Sequence, residues 1–305
     1  MKTFVKSFIK KKLLGKASAK AQSAMEYLMT YGWAILIISV VLAALFQLGV
    51  FNPMTFAPKA PPGSCQVFRP NGPYTTSFIN LEGICSGELP QYVGRFNGVN
   101  AYVNTAQTGS LAFTTQPFTV ILWIYPFLQK VTYPALLYEG VWSSNGWGVG
   151  YESYKIVFYD LGRGQKYYSA NVYPPGKWYF VAIIRNGLNG SILVNGVLDS
   201  NFSLLGNLIA STQPLSIGAT VTSSSITNFY AGIIANVQIY NTSLSANEIQ
   251  ALYLEGIGGA PIDLQNLVGW WPLNGNANDY SGNDNNGQAY NVSFVGNWWS
   301  GYTPP

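Results

Sequence analysis

The sequence predicts a mainly β protein, in which a long N-terminal α-helix is followed by an antiparallel β-sandwich head that carries one short helix. Three observations lead to this prediction. Residues 27–58 contain no charged side chain, which indicates a long apolar helix near the start of the chain. Beyond residue 91, short apolar and aromatic runs alternate with Gly and Asn turns, as is typical of antiparallel sheets. Residues 245–256 carry the start and stop signals of a helix.

Charge separates the N-terminus from the rest of the chain. Seven of the 16 Lys and Arg residues fall within the first 21 positions, which leaves nine basic residues against 12 acidic ones elsewhere. The basicity is therefore a targeting feature, and no nucleic-acid partner is expected. The chain contains no histidine, so it lacks the commonest general base and metal ligand.

The apolar segment predicts a helix over residues 22–51. It contains no proline, and the first one after it is Pro53. A helix of about 30 residues at ~1.5 Å each is roughly 45 Å long, enough to span a bilayer. The lysines before it place the N-terminus in the cytoplasm and the head outside the cell. We therefore expect a protein that crosses the membrane once before any assembly.

The residues at the start of this helix have a specific spacing. The stretch KAQSAMEY (20–27) resembles the class III signal peptides of archaeal type IV pilin-like proteins. In that family a prepilin peptidase cuts just before a Gln, and an acid follows at the fifth mature position. The resemblance implies that residues 1–21 are a signal peptide, that cleavage falls between Ala21 and Gln22, and that Glu26 is the fifth mature residue. The family usually has Gly before the cut, where this chain has Ala21.

Cleavage would create an α-amine on Gln22. A lone carboxylate is costly in the dry centre of a helical filament, whereas a carboxylate paired with a neighbour's amine is tolerated. We expect Glu26 to set the axial register between subunits through this pairing. The expected partners are further copies of the chain in a helical filament, the prepilin peptidase and the membrane assembly machinery. The alternative is a plain signal anchor with Glu26 at the level of the lipid headgroups.

A proline-rich linker, residues 52–64, is expected to join the helix to the body in an extended conformation. Residues 65–90 follow as a segment that contains the two cysteines, Cys65 and Cys85. We expect a disulfide between them in an oxidising compartment, and the alternative is two buried free thiols. Closing a loop of about 20 residues would contribute around 3 kcal/mol.

Several strands are predicted in the head. Asn97-Gly98 and Asn195-Gly196 are turn dipeptides between apolar residues. The strongest strand candidates are FTVILWIYP (118–126), KWYFVAIIRNG (177–187), SILVNGVL (191–198) and FYAGIIANVQIYN (229–241).

One helix is predicted in the head. Ser245 stands at its N-cap, with Glu248 three residues later as in a capping box, and Gly256 ends it. Its apolar residues fall at the spacing of a single helical face, which should pack on the sandwich: Ile249, Leu252 and Tyr253.

These pieces, in this order, resemble the laminin-G-like, concanavalin-A-like jelly roll. The resemblance implies two antiparallel sheets packed face to face over residues 91–305, with Trp123 and Trp178 in or near the core. The matching stretches are FNGVNAYV (96–103), FTVILWIYP (118–126), Trp178 with VAIIRNG (181–187), ILVNGV (192–197) and GIIANVQIYNTSLSANEIQALY (232–253).

The C-terminal segment occupies a different position along the chain from its counterpart in the family. Residues 267–296, which begin LVGWWPLNGNANDYSG, resemble the strand that normally precedes FNGVN. This segment either completes its own sheet or is donated to a neighbouring subunit by strand addition. A second sandwich is not expected, because the 39 residues from position 267 are too few for one.

No enzymatic activity is expected. Glucanases on the jelly-roll scaffold place acids alternately along one strand, and this chain has no E-x-D-x-E pattern. The closest pairs of acids in the body are Glu152 with Asp160 and Asp279 with Asp284.

The run NDYSGNDNNG (278–287) is rich in oxygen ligands of the kind that calcium prefers. The family often carries a structural calcium near this segment, which implies Asp279 and Asp284 as ligands. Ala235 occupies the position where the family usually has a further acid. The alternative is a turn-rich loop without metal, and no other cofactor is expected.

Trp142 and Trp147 lie in GVWSSNGWGVGY, a Gly-rich strand and loop. Exposed tryptophans on this fold would stack on the sugar rings of a surface glycan, and the alternative is that they pack in the core. Four N-glycosylation sequons, which would make the protein a glycoprotein, stand at Asn189, Asn201, Asn241 and Asn291.

Taken together, these features predict a structural subunit of an extracellular filament similar to archaeal type IV pili. The N-terminal helix would build the filament, and the lectin-like head would act in adhesion or surface contact. The alternative is a membrane-anchored lectin-like surface protein that does not polymerise.

Overall fold

A computed structural model describes residues 29, 31–44, 90–106, 109–296, 298, 302–303 and 305. The chain divides into two compact units, Met1–Pro58 and Lys59–Pro305. In the first unit, helix α1 covers residues 31–44, and within it Ser39 Oγ donates a hydrogen bond of 2.8 Å to the carbonyl oxygen of Ile35. Within the described residues, no helix is both long and apolar enough to cross a membrane.

Several predictions fall outside the described residues. These are the cleavage site at Ala21 and Gln22, the assembly residue Glu26, both ends of the predicted helix, the linker and the two cysteines, Cys65 and Cys85.

The second unit is an antiparallel β-sandwich with one short α-helix, which confirms the predicted fold class of the head. Its helix α2 covers Ala246–Glu255. The strands in chain order are β1 (Val93–Asn97), β2 (Tyr102–Thr105), β3 (Phe118–Pro126), β4 (Ala135–Val141), β5 (Asn145–Glu152), β6 (Lys155–Asp160), β7 (Gln165–Tyr168), β8 (Tyr179–Asn186), β9 (Asn189–Val194), β10 (Val197–Ser203), β11 (Ser216–Ile217), β12 (Thr220–Val221), β13 (Ile226–Thr227), β14 (Ala231–Tyr240), β15 (Leu267–Trp271), β16 (Gly287–Tyr290) and β17 (Ser293–Val295).

Two large sheets form the sandwich. The eight-stranded sheet has the order β10-β9-β8-β3-β14-β1-β17, and β15 also pairs with β14. The seven-stranded sheet has the order β16-β2-β11-β4-β5-β6-β7, and β12 and β13 form a separate small hairpin. The inward side chains of both sheets make one apolar core, whose largest fully buried members are Trp147, Trp271, Tyr151 and Tyr230.

Local signals account for several of these elements. Asn195 and Gly196 both have positive φ angles, 52° and 74°, as the two-residue turn between β9 and β10 requires. The predicted capping box of α2 is confirmed, because Ser245 Oγ accepts from the backbone N–H of Glu248 and the Glu248 carboxylate accepts from that of Ser245.

Helix α2 covers the outer face of the eight-stranded sheet. Tyr253 stacks on Trp123 with a ring-centroid separation of 5.9 Å. Near the C-terminus, Trp298 Nε1 donates to the carbonyl oxygen of Pro90, and its ring packs edge-on against Trp178 at 5.3 Å. This sheet therefore faces protein on both sides.

The C-terminal segment pairs with strands of its own chain. β15 pairs with β14 through Val237 and Trp271, β16 pairs with β2, and β17 pairs with β1. The segment from Leu267 to Val295 thus contributes to both sheets of the sandwich.

A bulge in β14 anchors β15. The register shifts between Ala235 and Gln238, where Asn236 adopts a positive φ of 48°. The Asn236 side chain donates to the carbonyl oxygen of Gly259 at 2.7 Å and accepts from Trp270 Nε1 at 2.8 Å. Because these groups are buried, each bond satisfies a polar atom that water cannot reach.

Glu139 is an acid inside the sandwich whose carboxyl group is not fully hydrogen-bonded. Glu139 on β4 is opposite Trp147 on β5, and its Oε2 atom is buried without a hydrogen-bond partner. Burial raises the pKa of Glu139 from 4.5 to about 9, so the carboxyl group is neutral in the folded head at neutral pH.

We predict that Glu139 makes the stability of the head fall with rising pH. Between its unfolded pKa of 4.5 and its folded pKa of about 9, the folded state binds one more proton than the unfolded state. This group alone should then lower the free energy of unfolding by about 1.4 kcal/mol per pH unit in that window. Glu139→Gln should flatten this slope and raise the melting temperature at pH 8.

Thermal unfolding of the full-length protein in detergent between pH 5 and 9 measures this effect. Glu248→Gln, on the exposed start of α2, is the control and should leave the slope unchanged. A Glu139→Gln protein whose melting temperature follows the wild-type pH profile would contradict the assignment.

Candidate functional site

The outer face of the seven-stranded sheet carries a row of side chains at one register. Residues next to the row along the strands, such as Val103 and Leu137, point into the core. Because side chains alternate along a strand, the row itself points outward. In strand order from β16 to β7, the row is Gln288, Asn104, Ser216, Tyr138, Gly148, Tyr159 and Lys166.

A cleft of about 390 Å³ opens over part of this row. Its size is within the range of pockets that bind small ligands, ~300–1,000 Å³. The cleft is lined by Tyr133, Ala135, Tyr138, Trp142, Glu152, Tyr159, Lys166, Thr220 and Asn228.

Two glycines make room for the floor of the cleft. Gly148 and Gly150 alternate along β5 and face outward, and the ring of Tyr159 lies over them. A Cβ atom at Gly150 would overlap the Tyr159 hydroxyl, and one at Gly148 would lie 3.1 Å from Tyr159 Cδ2. A side chain at either position would therefore lift the ring from the sheet.

The walls of the cleft include two exposed aromatic rings. Trp142 is 43% exposed and stands edge-on to Tyr159, at 6.2 Å and 87°. Tyr133, in the loop between β3 and β4, is 50% exposed. Both rings belong to one cleft and keep a large part of their surface open to solvent.

An ion pair lies between these rings. Lys166 Nζ is 2.7 Å from Glu152 Oε1, and Tyr159 donates to the same oxygen at 2.8 Å. Tyr168 donates to Glu152 Oε2, also at 2.8 Å. Burial and the neighbouring Glu152 raise the pKa of Tyr168 to about 12 and also raise that of Tyr159, so both hydroxyls remain donors at neutral pH.

The ammonium group of Lys166 is held by aromatic rings. It lies 3.9 Å from the ring centroid of Tyr133, 5.5 Å from that of Trp142 and 5.7 Å from that of Tyr159. Cation–π attraction and the ion pair thus fix its position. Because an ammonium group has three N–H donors and one is used by Glu152, Lys166 keeps donors for a ligand.

The remaining wall is polar. Asn228, at a positive φ of 56°, donates from Nδ2 to Thr220 Oγ1 at 3.3 Å. The cleft therefore combines aromatic surface with a few fixed donors and acceptors, an arrangement that suits a neutral polar ring with one apolar face.

The two predicted stacking residues differ in their location. Trp142 lines the cleft, as described above. Trp147 is fully buried, and its Nε1 donates to the carbonyl oxygen of Leu111 at 3.0 Å. The prediction for Trp147 is corrected: it points inward from β5 because it is one residue out of phase with the outward-facing Gly148.

The predicted calcium ligands do not form an ion site. Asp279 is buried, and each carboxylate oxygen already accepts two bonds, from the N–H groups of Trp270, Ser281 and Asn285 and from the Ser281 hydroxyl. These four bonds use its acceptor capacity. Asp284 is exposed, and the described residues contain no cluster of three His, Cys, Asp or Glu. The residues present do not fit calcium, and Asp279 instead organises the turn.

The four sequon asparagines are all exposed. Two of them lie on the paired strands β9 and β10, each opposite a serine: Asn201 Oδ1 accepts from Ser191, and Asn189 Oδ1 accepts from Ser203. Each serine belongs to the other asparagine's sequon. Their glycosylation, like that of Asn241 and Asn291, stays a prediction.

Sequence reasoning missed most of the cleft. It singled out Glu152 and Asp160 only as neighbouring acids, but Glu152 faces the cleft, whereas Asp160 faces the core and accepts from the Arg163 side chain at 3.2 Å. The signal that was available is the alternation Gly148-x-Gly150, which leaves space on one face of a strand.

Comparison with known proteins identifies the fold. A family model described as the concanavalin A-like lectin/glucanases superfamily matches residues 97–250, about half of the chain. The chain belongs to this superfamily. The match ends before Leu267, so the C-terminal strands β15 to β17 of this lectin-like head lie outside it.

Solved structures are similar at low identity. A protein from Bacteroides ovatus, to which carbohydrate binding is ascribed, is 14% identical with a TM-score of 0.52, and the match covers 68% of this chain and 61% of that one. This chain therefore spans about three fifths of that relative, and the likeness concerns the fold alone.

Two further structures are less similar. A heptameric pentraxin from Limulus polyphemus is 13% identical with a TM-score of 0.49, covering 68% of this chain and 95% of that one. The binding domain of Paraclostridial Mosquitocidal Protein 1 is 16% identical with a TM-score of 0.42, covering 60% and 50%. No curated protein matches the chain.

We predict that Gly150→Ala damages the floor of the cleft. The new methyl group would overlap Tyr159 and weaken its hydrogen bond to Glu152. Urea unfolding of the full-length protein in detergent should show a loss of about 1–3 kcal/mol, as is usual for overpacking. Gly296→Ala, where a Cβ would meet only ordinary contacts, is the control and should change stability by less than about 0.5 kcal/mol. Equal stability of the two variants would contradict this account.

Proposed function

We propose that the protein is a structural subunit of an extracellular filament similar to archaeal type IV pili, and that its lectin-like head binds a carbohydrate in the cleft. The observation that carries the binding role is the pairing of exposed aromatic rings, Trp142 and Tyr133, with the fixed ion pair of Glu152 and Lys166 between them.

The chemistry of a sugar ring suits this cleft. A pyranose has apolar C–H faces, which pack on aromatic rings, and a rim of hydroxyl groups that donate and accept hydrogen bonds. Lys166 would donate to a hydroxyl oxygen of the sugar. A remaining lone pair of the Glu152 carboxylate would accept a hydrogen bond from a sugar hydroxyl, so the ion pair would orient the ring.

The filament role rests on the N-terminal sequence. Cleavage before Gln22 would place an α-amine within reach of Glu26 of a neighbouring copy, and the long apolar helix would form the filament core. Before assembly the protein would sit in the membrane, with its N-terminus in the cytoplasm and its head at the cell surface. Adhesion or surface contact then follows as the role of a sugar-binding head displayed along a filament.

We predict that Trp142→Ala weakens carbohydrate binding by at least about tenfold, because the change removes a stacking surface and a tenfold loss is about 1.4 kcal/mol. Full-length protein in detergent would first be screened on a glycan array, and the best saccharide would then be titrated by calorimetry. Tyr154→Ala is the matched control, since Tyr154 is similarly exposed at 44% but does not line the cleft. Wild-type protein that retains no saccharide on the array would contradict the binding role.

We predict that the mature protein begins at Gln22 and that Glu26→Ala abolishes filament assembly without unfolding the head. Mass spectrometry of sheared surface filaments measures the N-terminus, and electron microscopy measures the filament yield. Ser23→Ala, a change that leaves both proposed partners intact, should assemble normally. A retained Met1 with its lysines would favour the membrane-anchored alternative, and normal filaments from Glu26→Ala would exclude the assembly role.

A further inference from the structure

A chain segment divides the outer face of the seven-stranded sheet. Thr220 and Asn228, from the hairpin of β12 and β13, line the cleft on one side. The next residue, Phe229, packs against Tyr102 of β2 on the other side, with ring centroids 6.4 Å apart. Residues 220–229 therefore stand between the cleft and the part of the face formed by β2 and β16.

The row of outward side chains is also covered beside this segment, where Ala219 leads into it. Ser216 is fully buried, and its hydroxyl lies 2.7 Å from the carbonyl oxygen of Ala219 and 3.0 Å from that of Tyr138. Next to it in the row, Asn104 Oδ1 is shielded from solvent and has no hydrogen-bond partner. A ligand that lies over Tyr138 and Tyr159 thus cannot continue along the sheet surface towards β2.

Among the described residues, no such barrier lies on the opposite side of the cleft. Lys166 lies on β7, which is the last strand of this sheet in the described part of the chain. Trp142 and Tyr133 both lie within reach of its ammonium group, at 5.5 and 3.9 Å, so they flank this side. The cleft therefore has a closed end at Asn228 and an open end at the edge of the sheet.

We infer that the cleft binds the terminal residue of a glycan chain, with the rest of the chain leaving over β7. This inference rests on the proposed carbohydrate binding and deepens it, because a groove for internal residues needs two open ends. Asn228 and Thr220 would contact the terminal sugar, and residues further along the glycan would add few contacts.

The test measures how the affinity for an oligosaccharide depends on the number of its sugar residues. Full-length protein in detergent would be titrated with glucose, xylose, mannose and N-acetylglucosamine oligosaccharides, each β-1,4-linked, from the monosaccharide to the hexasaccharide. For any series that binds, terminal recognition predicts dissociation constants that change by less than about twofold from disaccharide to hexasaccharide. A gain of about tenfold over the same range, equivalent to about 1.4 kcal/mol, would overturn the inference and leave the binding role intact. No binding to any series, together with an empty glycan array, would overturn both.

A second experiment varies the end through which the oligosaccharide is attached to a surface. The hexasaccharide that binds best would be tethered to a sensor surface through its reducing end or through its non-reducing end. Terminal recognition predicts that binding survives in one orientation and falls by more than tenfold in the other. Equal binding in both orientations would overturn the inference.

A variant tests the closed end directly. Asn228→Gly keeps the positive φ of 56° without strain and removes the side chain that faces the ligand. It should lower the affinity for the terminal sugar at least about threefold. Asn291→Gly is the matched control, since Asn291 is exposed at a φ of 53° and does not line the cleft, and it should bind as the wild type does. Unchanged affinity of Asn228→Gly would place the ligand away from the closed end and overturn the inference.

Discussion

Strand β14 is the constraint on which the sandwich depends. All ten of its residues are buried, and it pairs with β3 along one edge and with β1 and β15 in succession along the other. The bulge at Asn236 lies where β1 gives way to β15, and its buried amide binds both β15 and the loop after α2. Because β15 brings the buried side chains of Trp270 and Trp271 into the sandwich and pairs with β14, the C-terminal segment is part of the core rather than an appendage.

The two sheets have different outer faces for a simple reason. The eight-stranded sheet is apolar on both sides, so its outer face is covered by α2 and by Trp298 near the C-terminus. The seven-stranded sheet has Gly148 and Gly150 on its outer face, and its aromatic side chains line an open cleft instead. The cleft therefore lies on the side where two glycines leave room for the ring of Tyr159. Because side chains alternate between the two faces along β5, Trp147 points into the core, whereas the next residue, Gly148, lies on the outer face.

Much of the fold was predictable from local signals, whereas most of the cleft was not. Asn195-Gly196, the capping box of Ser245 and the long apolar strands each encode their structure within a few residues. Strand β7 was missed, because its polar residues weaken a strand pattern. Glu152, Lys166 and the pair Thr220 and Asn228 come from three separate parts of the chain, β5, β7 and the β12–β13 hairpin, and no sequence pattern links them. Their meeting depends on strand order and register, which long-range pairing sets.

By itself, the sequence determined the mainly β class, the sandwich head and its one helix, because period, turn residues and caps act over short distances. It also carries the spacing of Glu26 from Gln22 on which the filament proposal rests. Only the tertiary structure decided that residues 267–295 pair within their own chain, that Asp279 satisfies a turn, and that Asn228 and Trp142 line one cleft. These outcomes depend on which groups meet in the folded chain, where burial and hydrogen-bond satisfaction select one arrangement among several that local signals allow.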